Sequence, residues 1–180
     1  MSQLMSQMIY KICILGDGGV GKTTLINRYL TDVFKDNLKI TIGVNFYIKN
    51  LEFNGRAVTL QIWDFAGEDR FRFILPNYLL GTAGAIFLYD ITRFSSFRNF
   101  NSWMEIFEEG GKKNGSKIPL LMVGSKKDLE YKRAVSFEDA QEIAESFNGV
   151  YDYLECSAKT GENVSLLFER LTNLIITRPK

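Results

Sequence analysis

The sequence contains no histidine. That absence removes the Ser-His-Asp triad, histidine-ligated zinc and imidazole acid–base chemistry together. Cysteine is scarce: Cys13 lies inside an apolar run and Cys156 precedes a serine. Two cysteines without metal-ligand spacing make no disulfide scaffold, and they fit a reducing compartment. Excess charge of one sign is missing too, with 22 lysines and arginines against 21 aspartates and glutamates. Nothing global therefore favours nucleic acid or an anionic membrane, and pairs such as Lys112-Lys113 and Lys126-Lys127 read as solvated loops. No apolar run approaches the roughly 18 residues of a spanning helix, and "MSQLMSQM" lacks the basic and apolar regions of a secretory leader. A soluble, cytoplasmic protein is expected.

What is present suits one compact domain: 180 residues, 46% of them hydrophobic, without internal repeat or low-complexity stretch. "YKICIL" reads as a short buried strand running into glycines, and "KTTLINRYL" beyond them propagates as helix. "VNFYIKNLEF" and "AVTLQIWD" flank Asn54-Gly55, the dipeptide of a type I′ hairpin turn. Afterwards "AIFLYD", "IPLLMVG" and "YDYLEC" each precede a helical spacing. The first of those helices aligns Phe97, Phe100, Met104 and Phe107 as a core face; Ser136 with Asp139 caps the next; the last turns Val164, Leu167, Phe168, Leu171 and Ile175 inward. Buried strands alternating with helices predict a three-layer α/β/α fold: a six-stranded mixed sheet, five strands parallel and one antiparallel at the edge, with about five helices. Residues 1–8 are expected to form an N-terminal extension, 9–177 the domain and 178–180 its end.

The densest chemistry is "GDGGVGKT", residues 16–23, which matches G-x-x-x-x-G-K-[ST] between a strand and a helix. Backbone amides of residues 18–24 at the start of a helix suit the α- and β-phosphates of a nucleotide, the Lys22 ammonium reaches the β- and γ-phosphates, and the Thr23 hydroxyl ligates magnesium. Asp64 opens D-x-x-G with Gly67, one hairpin further on; the acid can hold magnesium through a water and the glycine amide can meet a γ-phosphate. "GSKKDL" follows the fifth strand. There the Asp128 carboxylate can accept from a ring nitrogen and an exocyclic amine, which guanine offers on one edge and adenine does not, while the Lys126 stem covers the base. Taken alone, that segment reads equally well as a charged surface loop. "CSAK", residues 156–159, taken alone is a tight strand-to-helix turn.

In order and position, "GDGGVGKT", "TIGV", "WDFAG", "SKKD" and "SAK" resemble the Ras superfamily of small GTPases over about residues 9–176. "TIGVNF" followed by "WDFAGEDRFRFILPNYLLGTAGAIFLYDIT" is most similar to the Rab branch. The resemblance implies a P-loop G domain acting as a monomeric GTP/GDP switch in signalling and vesicle trafficking. It implies that Asp17, Gly18, Gly19, Val20, Gly21, Lys22, Thr23 and Thr24 surround the phosphates, and that Thr23, Thr41 and Asp64 serve magnesium. Phe34, Ser125, Lys126, Asp128, Leu129, Ser157, Ala158 and Lys159 surround the base. Lys22, Thr41, Gly67 and Glu68 occupy the catalytic positions. Mobile segments at roughly residues 35–43 and 65–79, released when the γ-phosphate leaves, are read by exchange factors, activators and effectors. Phe46, Trp63 and Tyr78 match an aromatic triad between them, an effector-facing patch unless they are ordinary sheet or core aromatics.

Three departures from the pattern stand out. Glu68 occupies the place of the glutamine that orients the attacking water; a carboxylate is repelled by a γ-phosphate, yet it is a better proton acceptor than an amide. Ser125 replaces an asparagine and loses the amide's reach. No cysteine lies near "ITRPK" and residue 2 is serine, so neither prenylation nor N-myristoylation is expected on this chain, and membrane association would pass through partners or a further tail. Between Lys35 and Gly43 no arginine is available as a finger in cis, so unaided turnover on the order of 10⁻⁴ to 10⁻² per second is expected. Arg70 and Arg72 are expected to pair locally with Glu68 or Asp69. Two other readings compete: an interaction module that binds nucleotide with little hydrolysis, which Glu68 permits, and a P-loop kinase or ATPase, which Asp128 and the absence of a lid-like insert oppose.

Overall fold

In β1 (Met8–Leu15) successive side chains point to opposite faces, and both faces are covered. Ile12 and Ile14 enter one hydrophobic cluster; Cys13 and Leu15 enter another. Such burial on two sides belongs to a parallel strand between helical layers. The computed structural model describes residues 7–36, 38–115 and 117–177, with the backbone alone for 69–71. Of the expected N-terminal extension, residues 1–6 lie outside the described residues, and Met8 already pairs with Val58 as the start of β1. The expected end at 178–180 also lies outside them.

The chain continues through α1 (Lys22–Thr31), β2 (Val44–Phe53), β3 (Arg56–Phe65), a 3-10 turn at Asp69–Ile74 and α2 (Leu75–Tyr78). Next come β4 (Thr82–Asp90), α3 (Phe94–Arg98), α4 (Phe100–Asn114) and β5 (Leu120–Ser125). A second 3-10 turn (Lys127–Lys132), α5 (Phe137–Ser146), β6 (Val150–Glu155) and α6 (Val164–Thr177) complete it. Strand order is β2-β3-β1-β4-β5-β6, and only β2, at the edge, is antiparallel to its neighbour. This is the expected mixed sheet.

Local chemistry accounts for several joints. Asn54 and Gly55 have φ of 51° and 72°, and Phe53 pairs with Arg56, so the turn takes the I′ geometry that matches strand twist. Ser136 Oγ accepts from the Asp139 amide at 3.1 Å and starts α5. The expected aromatic face is buried, but it spans two helices: Phe97 belongs to α3, and Phe100, Met104 and Phe107 to α4. α2, α4 and α5 cover one side of the sheet, α1 and α6 the other. On that second side Ile175 is half-buried against Gly84, where a Cβ would lie 2.8 Å from its Cδ1. Among the described residues no helix is long and apolar enough to cross a membrane.

Candidate functional site

The C-terminal ends of β1, β3, β4 and β5 meet at one edge of the sheet, where open α/β folds place their ligands. The chain leaves β1 through Gly16, whose φ is 135°; a Cβ there would sit 2.1 Å from the Leu88 carbonyl oxygen. Only glycine fits that approach. The loop then enters α1 at Gly21, also with positive φ, and no side chain caps the helix and no acid occupies its first turn. Helical amides without a capping side chain beside a positive dipole end favour an anion.

A cavity of about 520 Å³ opens over this loop. Its lining includes the expected Gly18, Gly19, Val20, Gly21, Lys22, Thr23 and Thr24, together with Phe34, Thr41, Gly67, Glu68, Ser125, Lys126, Asp128, Leu129, Ala158 and Lys159. Lys22 is buried, and its Nζ donates to the carbonyls of Gly16 at 2.7 Å and Asp17 at 2.8 Å. Burial pushes the ammonium down to about 8, against the attraction of Asp64 and Asp17.

Three oxygens converge beside Lys22. Thr23 Oγ1 donates to Asp64 Oδ2 at 2.6 Å, Thr41 Oγ1 lies 3.3 Å from the same oxygen, and the two hydroxyls are 2.7 Å apart. Asp64 Oδ1 is buried with no hydrogen-bond partner among the described residues. Burial raises the Asp64 pKa, opposed first by Thr23 and then by Lys22. An orphaned carboxylate oxygen beside two hydroxyls fits a hard divalent cation. No group of three carboxylate, histidine or cysteine ligands exists among the described residues, so such an ion would need further oxygens from a bound ligand.

At the other end of the cavity Ser157 Oγ donates to Asp128 Oδ1 at 2.6 Å, and the Thr160 amide donates to Ser157 Oγ. Lys126 adopts φ 63° and its Nζ rests on Asp90 at 2.6 Å. Burial alone would raise the Asp90 pKa; hydrogen bonds from Lys126 and Thr92 outweigh it and lower it. Ser125 Oγ lies 2.7 Å from the Val20 carbonyl and 2.8 Å from that of Tyr89. The expected loss of reach is therefore corrected: the hydroxyl ties the end of β5 to the loop before α1, although its single hydrogen serves two carbonyls. Lys127 with Glu162, and Asn163 Nδ2 with the Glu155 carbonyl, brace the loop after β5 against the one after β6.

Several placements differ from expectation. Asp17 does not line the cavity; its carboxylate accepts from Arg72, Asn99 and Trp103 on the outer side of the loop. Ser157 is fully buried and meets Asp128 instead of the cavity, and Asp64 acts from beneath the threonines. Arg72 also reaches the distant Asp17, which was not expected, while the side chains of Asp69 and Arg70 lie outside the described residues. The Gly18 amide donates to the Gly67 carbonyl at 3.2 Å, and a Cβ on Gly67 would meet the backbone of Asp17 and Gly18 at 2.1–2.6 Å. Asp90 and Arg93, whose guanidinium donates to the Gly18 carbonyl at 2.7 Å, were not singled out for the site; the only signal was that they end or follow a strand at this edge. Phe46, Trp63 and Tyr78 do come together, with ring centroids 5.3 and 5.8 Å apart, and Phe46 and Tyr78 are exposed.

Against known proteins, the chain matches the model of the Ras family over residues 11–177. It is similar to Ras-related protein Rab-19 of Xenopus laevis, with 40% identity over 170 residues covering 94% of this chain and 78% of that protein. Ras-related protein Rab-11C of Dictyostelium discoideum is 40% identical over 166 residues, 92% of this chain and 72% of its own length. Ras-related protein SEC4 of Candida albicans is 38% identical over 168 residues, 93% and 78% respectively.

Proposed function

This chain belongs to the Ras family, and from that membership we propose that its cavity binds GTP and GDP with magnesium and slowly hydrolyses GTP, switching the segments around residues 35–43 and 65–79. The observation that carries the reading is one continuous cavity running from the uncapped start of α1 to Asp128. Its lining suits a nucleotide laid with phosphates over residues 18–24 and base against Asp128.

Each residue has work to do in that arrangement. Two of the three Lys22 donors go to Gly16 and Asp17, which aims the third at the β- and γ-phosphates. Thr23, Thr41 and Asp64, already gathered around one carboxylate oxygen, would hold magnesium, which would supply neutralisation of phosphate charge. Gly67 brings its peptide against the phosphate loop, and Glu68, which lines the cavity, takes the place of the family's water-orienting glutamine. Ser157 fixes the Asp128 carboxylate, which accepts two donors from guanine, and Lys126, braced by Asp90, lays its stem along the base. Phe34, which also lines the cavity, meets the base edge-on. The Phe46–Trp63–Tyr78 cluster, together with exposed Ile42 and Phe73 in the two switching segments, is the surface that partners read.

The direct test is nucleotide binding and phosphate release with magnesium. The wild-type chain should bind GDP and GTP in preference to ADP and ATP and release phosphate from GTP. Asp128→Ala should lose two charge-assisted hydrogen bonds and bind GDP roughly 10²–10⁴-fold more weakly. Preference for adenine nucleotides, or selectivity unchanged in Asp128→Ala, would exclude the reading.

One observation favours a second reading, a nucleotide-dependent interaction module that barely turns over: Glu68 lines the cavity as a carboxylate. Single-turnover hydrolysis by wild type and Glu68→Gln separates the two. A difference of about threefold or more gives Glu68 a part in positioning water; equal, measurable rates remove it from the reaction. Rates indistinguishable from uncatalysed GTP in both proteins would support the module.

A further inference from the structure

Asp17 sits in the phosphate loop between Gly16 and Gly18, yet its carboxylate is directed outward and gathers three donors. Oδ1 accepts from Trp103 Nε1 at 2.8 Å and from an Arg72 guanidinium nitrogen at 3.0 Å, and Oδ2 accepts from Asn99 Nδ2 at 2.7 Å. Both members of the ion pair are largely withdrawn from water, with side-chain exposures of 15% for Asp17 and 17% for Arg72. The guanidinium also lies over the fully buried Trp103 ring, 4.4 Å from its centroid. Arg72 is the only cation among the hydrogen-bonding partners described for this carboxylate; Asn99 and Trp103 are neutral and come from the α3–α4 wall.

The backbone of the same residue touches both ends of the phosphate machinery. Its carbonyl accepts from Lys22, and its carbon and oxygen crowd Gly67 so closely that no Cβ fits there. Arg72 therefore belongs to the segment that begins at Gly67, but it neutralises a charge built into the loop that Gly67 contacts.

We propose that Arg72, acting through Asp17, is a positioning residue that sets this chain's preference for a nucleoside triphosphate over a diphosphate. The inference rests on the reading that the cavity binds guanine nucleotide. An unpaired carboxylate buried in the loop opposes an anionic ligand, and it opposes the more highly charged triphosphate more strongly. The γ-phosphate and the Arg72–Asp17 pair also bear on one segment, residues 67–72. Seating the one favours the other, and that coupling is reciprocal.

Dissociation constants for GDP and a non-hydrolysable GTP analogue, with magnesium, test this on the full chain. Arg72→Ala is expected to weaken the GTP analogue at least about fivefold more than GDP, the lower edge of ordinary coupling between sites. Arg72→Met keeps a stem over Trp103 without the charge and should give the same shift, which guards against loosened packing in the alanine variant. Arg72→Lys should return the ratio to within about twofold of wild type, and so should Asp17→Asn combined with Arg72→Ala, since neither leaves a buried carboxylate unpaired. Equal weakening of both nucleotides, or no weakening, in folded Arg72→Ala and Arg72→Met overturns the inference and assigns Arg72 a structural role alone. A ratio still shifted in the double variant also overturns it. If the wild type binds no guanine nucleotide, the functional reading fails, a different result from an unshifted ratio.

Discussion

At Ser125 one hydroxyl stands between the carbonyls of Val20 and Tyr89, and residue type by itself did not disclose that reach. Serine is shorter than the asparagine of the family pattern, but the distance it must span is set by how closely β5 lies to the phosphate loop. Asp17 makes the same point from the other direction: sequence position puts it inside the phosphate motif, while Arg72, Asn99 and Trp103 turn its carboxylate away from the cavity. The cysteines yield a prediction at this scale. Burial pushes the Cys13 thiol up to about 11 and the Cys156 thiol up to about 12, from 9.0. The folded state therefore holds both protonated, and this stabilisation is complete below about pH 9 and lost as pH rises through the shifted values. At pH 8 a thiol reagent should modify neither cysteine in the folded protein and both in denaturant; rapid modification of native Cys156 would contradict its burial.

The elements were legible because their signals are local. Strand parity, the Asn54-Gly55 turn and the Ser136 cap each depend on a few neighbouring residues, and each is found in place. The break at Asn99 was not foreseen, since Phe97 and Phe100 keep helical spacing across it and backbone hydrogen bonds from Asn99 to Ser95 and from Trp103 to Asn99 run through it. α4 also carries two adjacent glycines with opposite surroundings. A Cβ on Gly110 would lie 2.7 Å from Leu79 Cβ and 2.4 Å from its Cδ1, whereas one on Gly111 meets nothing within 4 Å. Gly110→Ala should therefore lose about 1–3 kcal/mol through overpacking against Leu79. Gly111→Ala should gain about 0.5–1 kcal/mol by restricting the unfolded chain and favouring helix. Urea unfolding of the two variants checks the signs; equal effects would mean that the contact of α4 with Leu79 yields freely.

Across the whole molecule the site is a seam between loops from five parts of the chain, so filling it should stabilise the entire domain. A ligand bound only by the folded state adds about 2.7 kcal/mol at one hundred times its dissociation constant. For a domain of this size that raises the unfolding midpoint by roughly 5–11 °C. Thermal unfolding with GDP and magnesium should show such a rise, reduced when the cation is chelated if Thr23, Thr41 and Asp64 hold it as proposed. No rise with GDP would argue against nucleotide in the cavity. The sequence by itself determined the alternation of strand and helix, the phosphate-loop motif and the candidate acids, because periodicity, turn chemistry and motif spacing act over short stretches of chain. Only the tertiary structure decided which way Asp17 faces, what Ser125 reaches and that Gly67 packs against the loop. Those contacts join residues from 36 to 105 positions apart, and their geometry exists only once the sheet has brought its strand ends to one edge.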